Sequence, residues 1–437
     1  MKRKRTAAVV SLTLSLALSL TQTPAGFAAQ KIGPGVVNLA PSDAYASYQW
    51  GLLNDGGLSL NIADLRRESF DELYQSYRDW YGSGQLGIPP RGLEPGDFEN
   101  RIVRAEAGVD MNVAEAFSLY REKNADSSEP ARRDVIVAII DTGVDTEHPE
   151  LKNALWTNAD EIPGDGIDND RNGYVDDVHG YNFFDHSPRI RDNKKTDLHG
   201  THAAGTIGAA YGNGGMTGLT DNAHVKIMVL KALGANGAGG EESVSEAIRY
   251  AQANGADICN LSLGTTKYMP QLEQLIANSP MLFVVAAGNG DARGIGYNTD
   301  LNPVYPADYA AENIISVANL MFDGQLDRSS NYGAESVDIA APGSYILSTA
   351  PGGRFEFLTG TSMAAPMVTG VCAMVYSYRT DLGLLGVKEA VLNSARKLDS
   401  LSGKVRCGGM PDLYAAMQYG RTAETGGEGG MAAAGQE

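Results

Sequence analysis

Four short segments carry side chains suited to breaking an acyl bond: DTGVD from Asp141, HGTHAAG from His199, AAGN ending at Asn289, and GTSMAAP around Ser362. Asp141 is the first polar residue after Val135 to Ile140, an unbroken, β-branched apolar run of the kind that forms a strand buried on both faces. A carboxylate there accepts the Nδ1 hydrogen bond of an imidazole, fixes the tautomer that leaves Nε2 free, and stabilises the imidazolium formed during attack. His199 precedes a small-residue stretch, Gly200 to Ala210, which reads as a helix packed closely on a sheet. Ser362 precedes Met363 to Tyr378, read as a buried helix with Pro366 in its first turn. A serine at that end meets positive backbone dipoles, and its own N–H is aimed at a developing oxyanion. Asn289 follows the apolar run Met281 to Val285 and supplies a second oxyanion donor. Each segment alone suits a blander role: DTG a turn acid, Ser362 an N-cap. His202, three residues after His199, lacks the four-residue spacing and intervening Glu of a helical zinc site, and reads as a buried hydrogen-bonded partner.

The conjunction is more specific. Acid, base and nucleophile in that chain order resemble the subtilases, the subtilisin-like serine peptidases, whereas α/β-hydrolases place the serine first in G-x-S-x-G. The resemblance runs from about Tyr48 to Tyr419 and includes YQWGLLN, Tyr305-Pro306, SSNYG and IAAPG; Tyr305-Pro306 is the candidate for a cis bond. It departs at Ala203, where many relatives carry Val. It implies a three-layer α/β fold, a mostly parallel central sheet flanked by helices. It further implies a serine endopeptidase in which Ser362 attacks, His199 shuttles the proton, Asp141 orients His199, and Asn289 with the Ser362 amide holds the oxyanion of an acyl-enzyme pathway. NLSLG resembles the family's substrate strand and VLKALGANGAGG, Val229 to Gly240, the opposite lip of the cleft. Extended protein or peptide substrates are therefore expected against Ser262, Leu263, Gly264, Ala287 and Gly288. A dedicated processing peptidase with one protein substrate would share this site. A non-catalytic binding module on the same fold would be expected to have lost a triad member, and none is lost.

Composition narrows the partners. Among 437 residues, 35 Lys and Arg face 53 Asp and Glu, a net charge of −18; without Lys2 to Arg5 it becomes −22. Such a field disfavours nucleic acid and anionic membranes, and a monomer without organic cofactor is expected. Basic Lys2 to Arg5, the apolar stretch Thr6 to Leu20, and small residues near Ala28 and Ala29 read as a signal peptide over 1–29. The expected location is secreted, extracellular or at the cell envelope, with an uncleaved signal as the one membrane contact left open. Cys259, Cys372 and Cys407 are too few for a disulfide framework, and no bridge is expected.

Between acid and base, Asp168, Asp170 and Asn172 alternate before Gly173, Asp176 and Asp177. The pattern resembles the start of an EF-hand loop, but His179 stands where the bidentate Glu belongs. A structural Ca²⁺ is expected on these five side chains, with a solvated acidic loop as the alternative, because clustered carboxylates repel without a cation. A second family calcium loop would fall on Ala210 to Met216, which holds no carboxylate; Glu150 is its one candidate acid. Residues 30–47 read as a lead, 48–420 as the catalytic domain and 421–437 as a disordered Gly/Ala-rich tail. Residues 58–106 read as an insertion, or 30–106 as a propeptide. A helical stretch, Ile62 to Tyr81, is expected within them, and further helices over Val387 to Leu398 and Asp412 to Tyr419.

Overall fold

A computed structural model of the protein describes residues 43–61, 102–125, 132–192, 196–234, 237, 239–291 and 293–421. The signal peptide, most of the lead, the interior of the 58–106 segment with its expected helix, and the Gly/Ala-rich tail lie outside these residues.

The apolar runs form the strands expected of them. Strands β1 (Ser59–Asn61) and β2 (Ile102–Arg104) pair antiparallel. After helix α1 (Val113–Ala125) come β3 (Val135–Asp141), β4 (Gly180–Asn182), α2 (Leu198–Gly208), β5 (Val225–Lys231), α3 (Glu241–Ala253), β6 (Ile258–Leu261), α4 (Pro270–Ala277), β7 (Leu282–Ala286), β8 (Ile314–Leu320) and β9 (Ile339–Pro342). A hairpin follows, β10 (Ile346–Ala350) with β11 (Arg354–Leu358), then α5 (Thr361–Tyr378), α6 (Leu384–Asn393), the short pair β12 (Arg396–Lys397) and β13 (Gly409–Met410), and α7 (Leu413–Gln418).

The central sheet has seven strands in the order β4-β5-β3-β6-β7-β8-β9, every pair parallel. From β3 the chain runs to the edge strand β4, steps back to β5 between them, then crosses β3 to β6 and builds outward to β9 on the other side. The order therefore reverses beside β3, and the crevice outside the carboxyl ends of β3 and β6 is the switch point where such sheets bind ligands. Alternation along β3 separates two cores: Val135, Val137 and Ile139 pack with α2 and α5, whereas Ala138 and Ile140 pack with α3 and α4. The result is the three-layer α/β architecture expected from the sequence.

Local departures have local causes. The last helix begins one residue after Asp412 because Asp412 caps it, accepting from the Ala415 N–H at 2.9 Å. The helix expected over Val387 to Leu398 is shifted to Leu384–Asn393, and Arg396 and Lys397 leave it to pair with Met410 and Gly409. The helix that carries Ser362 starts at Thr361 with Gly360 as N-cap. Ser362 is thus inside the first turn and not the cap, and Pro366 is the sixth helical residue, beyond the first turn where it was expected. Tyr305-Pro306 is cis, and all three cysteines are unpaired. Residues 43–57 belong to the core: Trp50 is buried, its Nε1 donates to the Ser344 carbonyl at 3.0 Å, and Asn54 N–H donates to Asp110 at 2.8 Å.

Candidate active site

Asp141 ends β3 and His199 is the second residue of α2. Gly200 makes their approach possible: a Cβ there would stand 2.3 Å from the Gly143 carbonyl oxygen, a distance no side chain tolerates. His199 Nδ1 lies 2.9 and 2.8 Å from the two carboxylate oxygens of Asp141, and both residues are buried. Nδ1 is assigned as the protonated nitrogen, because the carboxylate can only accept, which leaves Nε2 as the base. Burial alone would lower the imidazole's pKa; the charge of Asp141 and the hydrogen bond to it outweigh burial, and the net direction is upward. His202 is the opposite case. It is fully buried, donates or accepts at the Ile346 carbonyl 2.9 Å away, and burial pushes its pKa down to about 3. It stays neutral and structural, as its spacing suggested. Lys231, paired in register with Asp141, was not singled out by the sequence; its buried ammonium donates to the Thr142 and Leu233 carbonyls and faces Asp192 at 3.2 Å, pinning the turn after the acid.

Ser362 is half-buried in the first turn of α5. Its Oγ donates to the Ser262 carbonyl at 3.3 Å, so the hydroxyl rests on the substrate strand and must turn about χ1 to reach an imidazole. Asn289 follows β7, and its Oδ1 accepts from Thr361 N at 2.7 Å and Thr361 Oγ1 at 3.0 Å. With the oxygen committed, Nδ2 is the outward atom and is available to an oxyanion. Gly360 permits this contact, since a Cβ on it would fall 3.2 Å from Asn289 Oδ1, and its φ of 154° is one that glycine adopts freely. Thr361 is thus a positioning residue that sequence reading missed; the signal was its place in GTSMAAP.

The five residues assigned to substrate divide. Ser262 is buried with its hydroxyl turned beneath α5, Leu263 packs into the core formed with α3 and α4, and Ala287 is fully buried. Gly264 and Gly288 face each other across one side chain: Val304 Cγ1 lies 3.1 Å from where a Cβ on Gly264 would be and 3.6 Å from one on Gly288. Val304, 40 positions from Gly264 in the chain, was invisible to sequence reading. Its loop is tied to the substrate strand by paired Thr265–Tyr305 backbone bonds of 2.8 and 2.7 Å. In the opposite lip, residues 235, 236 and 238 lie outside the described set.

In the acidic loop the structure groups the side chains differently from the sequence pattern. Carboxylate oxygens of Glu161, Asp168 and Asp170 come within 4.8 Å of one another, and Glu161 lay outside the sequence pattern. Asp177 is not among them: it is fully buried and accepts from Asn158, Asn172 and Tyr250. Asp176 instead accepts from Gly164 and Gly166 N–H, and the Asn172 amide donates to Asp170 and Asp177. Three carboxylates so close together are oxygen donors of the kind a hard cation takes. The second loop fits an ion poorly. Asp43 accepts there from Gly212 N, Gly214 N and Thr217 Oγ1 at 2.8 to 2.9 Å, so donors occupy the place of further ligands, while Glu150 accepts from Asn213.

The sequence profile of the subtilase family matches residues 132–411. The major intracellular serine protease of Bacillus subtilis is 36% identical over 57% of this chain and 70% of its own length. Subtilisin-like protease 1 of Plasmodium berghei is 32% identical over 64% of this chain, which spans about half (49%) of that relative. A solved cold adapted subtilisin-like serine proteinase is matched at 25% identity and a TM-score of 0.49, covering 66% of this chain and 93% of that one. With the profile spanning all four segments and a parallel sheet whose switch point gathers them, the chain belongs to the subtilase family and is a serine-type endopeptidase.

Proposed function

We propose that Ser362, His199 and Asp141 form the catalytic triad of an exported endopeptidase that cleaves extended protein segments. The observation that carries this reading is the buried His199–Asp141 pair at 2.8 Å, which holds one imidazole nitrogen and leaves the other free to take a proton. Ser362 Oγ leaves the Ser262 carbonyl, gives its proton to His199 Nε2 and attacks the peptide carbonyl. Charge on the carbonyl oxygen is met by the Ser362 N–H and Asn289 Nδ2. His199 then protonates the leaving amine, and water releases the acyl-enzyme by the same steps in reverse. The test is a fluorophosphonate probe with peptide mapping: adduct on Ser362 in the wild type and none in Ser362→Ala supports the triad, and an unlabelled folded wild type refutes it.

Three further features belong to this reading. Ca²⁺ held by Glu161, Asp168 and Asp170 would neutralise the acidic loop and fix it against the domain. Residues 58–106 are an insertion into the catalytic domain, a view supported by the packing of Trp50 in the core and by the pairing of β1 with β2 at the two ends of the segment. Export is supported by the basic and apolar order of residues 2–20, which lie outside the described residues; among the described residues no helix is long and apolar enough to cross a membrane. Mass spectrometry of the mature amino terminus, in wild type and Ser362→Ala, checks the last two: a wild type starting near Val109 with a mutant starting near Gln30 would make 30–106 a propeptide.

A further inference from the structure

Pro366 removes a hydrogen bond from the helix that carries Ser362. In an α-helix the N–H of residue 366 would donate to the carbonyl of residue 362, and proline has none to give. The Ser362 carbonyl is nonetheless satisfied: Ser262 Oγ donates to it at 2.9 Å. We infer that Ser262 is a positioning residue whose hydroxyl takes the place of the missing helix N–H and fixes the backbone of the nucleophile. The inference rests on the reading of Ser362 as nucleophile.

The direction of the bond is enforced from behind. Thr369 Oγ1, three residues beyond Pro366 on the same helix, lies 2.9 Å from Asn260 Oδ1 and 3.0 Å from the Ala365 carbonyl. When its single proton goes to Asn260 Oδ1 rather than to the Ala365 carbonyl, that hydroxyl orients the Asn260 amide, whose Nδ2 donates to Ser262 Oγ at 3.0 Å. A hydroxyl that accepts from an amide has its single proton left for another acceptor, and the Ser362 carbonyl is that acceptor. Thr369, Asn260 and Ser262 are all buried, so water does not compete. The relay leaves α5, passes through the end of β6 and returns to α5 about two turns earlier. Because the Ser362 carbonyl fixes ψ of that residue, the relay governs where its N–H and its Cβ–Oγ bond point, which are the two things attack requires. A residue that only lined the cleft would instead change substrate affinity.

The experiment is a double-mutant cycle with activity expressed per titrated active site. Ser262→Ala is expected to lower kcat about tenfold while KM moves less than about twofold. In Pro366→Ala the helix N–H returns, and adding Ser262→Ala to it is expected to cost about threefold or less in kcat. Equal losses in the two backgrounds, a loss confined to KM, or no loss overturns the inference. Should Pro366→Ala not fold, Thr369→Val decides: it frees the Asn260 amide, and kcat falling about threefold at constant KM supports the relay, whereas unchanged kcat refutes it. Fluorophosphonate labelling separates the two levels. A wild type that does not label defeats the nucleophile assignment, while Ser262→Ala labelling at the wild-type rate defeats only the positioning role.

Discussion

Asn289→Ala tests the oxyanion assignment most directly, and the structure sets what it should cost. Thr361 supplies two donors to Asn289 Oδ1, at 2.7 and 3.0 Å. Flipping the amide would lose both bonds, each worth about 1 kcal/mol net, and would press donor against donor. The flipped form is therefore populated at no more than about a few per cent, since about 2 kcal/mol is roughly thirtyfold. Nδ2 is held toward the site before substrate arrives, and no reorganisation accompanies charge development. Removing such a donor costs about 2.7–4 kcal/mol, or roughly a hundred- to a thousandfold, as found for one oxyanion donor in a subtilisin. The loss should fall on kcat, because the ground-state carbonyl carries little charge. Thr361→Ala keeps the backbone donor and removes only the hydroxyl, so about 1 kcal/mol of bias, about fivefold, remains and kcat should fall less than about twofold. Initial rates on a chromogenic peptide anilide, corrected for titrated active sites, give both numbers. An Asn289→Ala enzyme within about fivefold of wild type, or a loss carried by KM, would refute the assignment.

Asp141→Asn should lower kcat by about 10⁴ through loss of the correct tautomer, and it should also move the acid limb of the rate profile. His199 must be neutral to act; Asp141 raises its pKa above the ordinary histidine value while burial pulls it down. Without the carboxylate charge, burial dominates and the residual activity should persist to lower pH, so a limb that stays put or moves upward contradicts the reading. Val304→Gly opens the space between Gly264 and Gly288, and kcat/KM for substrates with an aromatic side chain before the scissile bond should rise at least about tenfold relative to small ones; an unchanged ratio in a side-chain library would remove Val304 from the pocket. Chelation should lower Tm by about 3 °C if calcium sits at about 100 times its Kd, and Glu161→Gln should abolish that difference; an equal shift in the variant would place the ion elsewhere.

The chemistry was legible because catalysis needs particular residue types where a buried strand ends. Asp141 after six apolar residues, and His199 and Ser362 before runs of small ones, have few other uses in combination. What the sequence hid is non-local. The polar run Asp168, Asp170, Asn172, Asp176 and Asp177 suggests one ligand ring, but Tyr250, on a helix 73 residues later, donates to Asp177, and Glu161 enters by a turn that no spacing rule specifies. Val304 reaches the substrate strand only through the Thr265–Tyr305 pairing. The start of α5 was a local error, as were the bounds of α6. Gly360 was readable as an N-cap, but the conspicuous Ser362 drew the helix boundary two residues late.

The three strands that contribute Asp141, Ser262 and Asn289 are consecutive in the sheet, β3, β6 and β7. Neighbouring parallel strands lie about 4.8 Å apart, so their ends span only about 10 Å whatever the chain distance between them. Across those ends α5 lays its first turn, held on one side by Ser262 and on the other by Asn289 through Thr361. The Asp141–His199 pair has a separate support, β3 against α2, joined through Gly143 and Gly200. On the proposed assignment, nucleophile and base are therefore fixed by different packing contacts, and Ser362 Oγ must leave the Ser262 carbonyl, to which it donates at 3.3 Å, before it can give its proton to His199. Every neighbour that restricts the Ser362 backbone narrows the search that rotation must make.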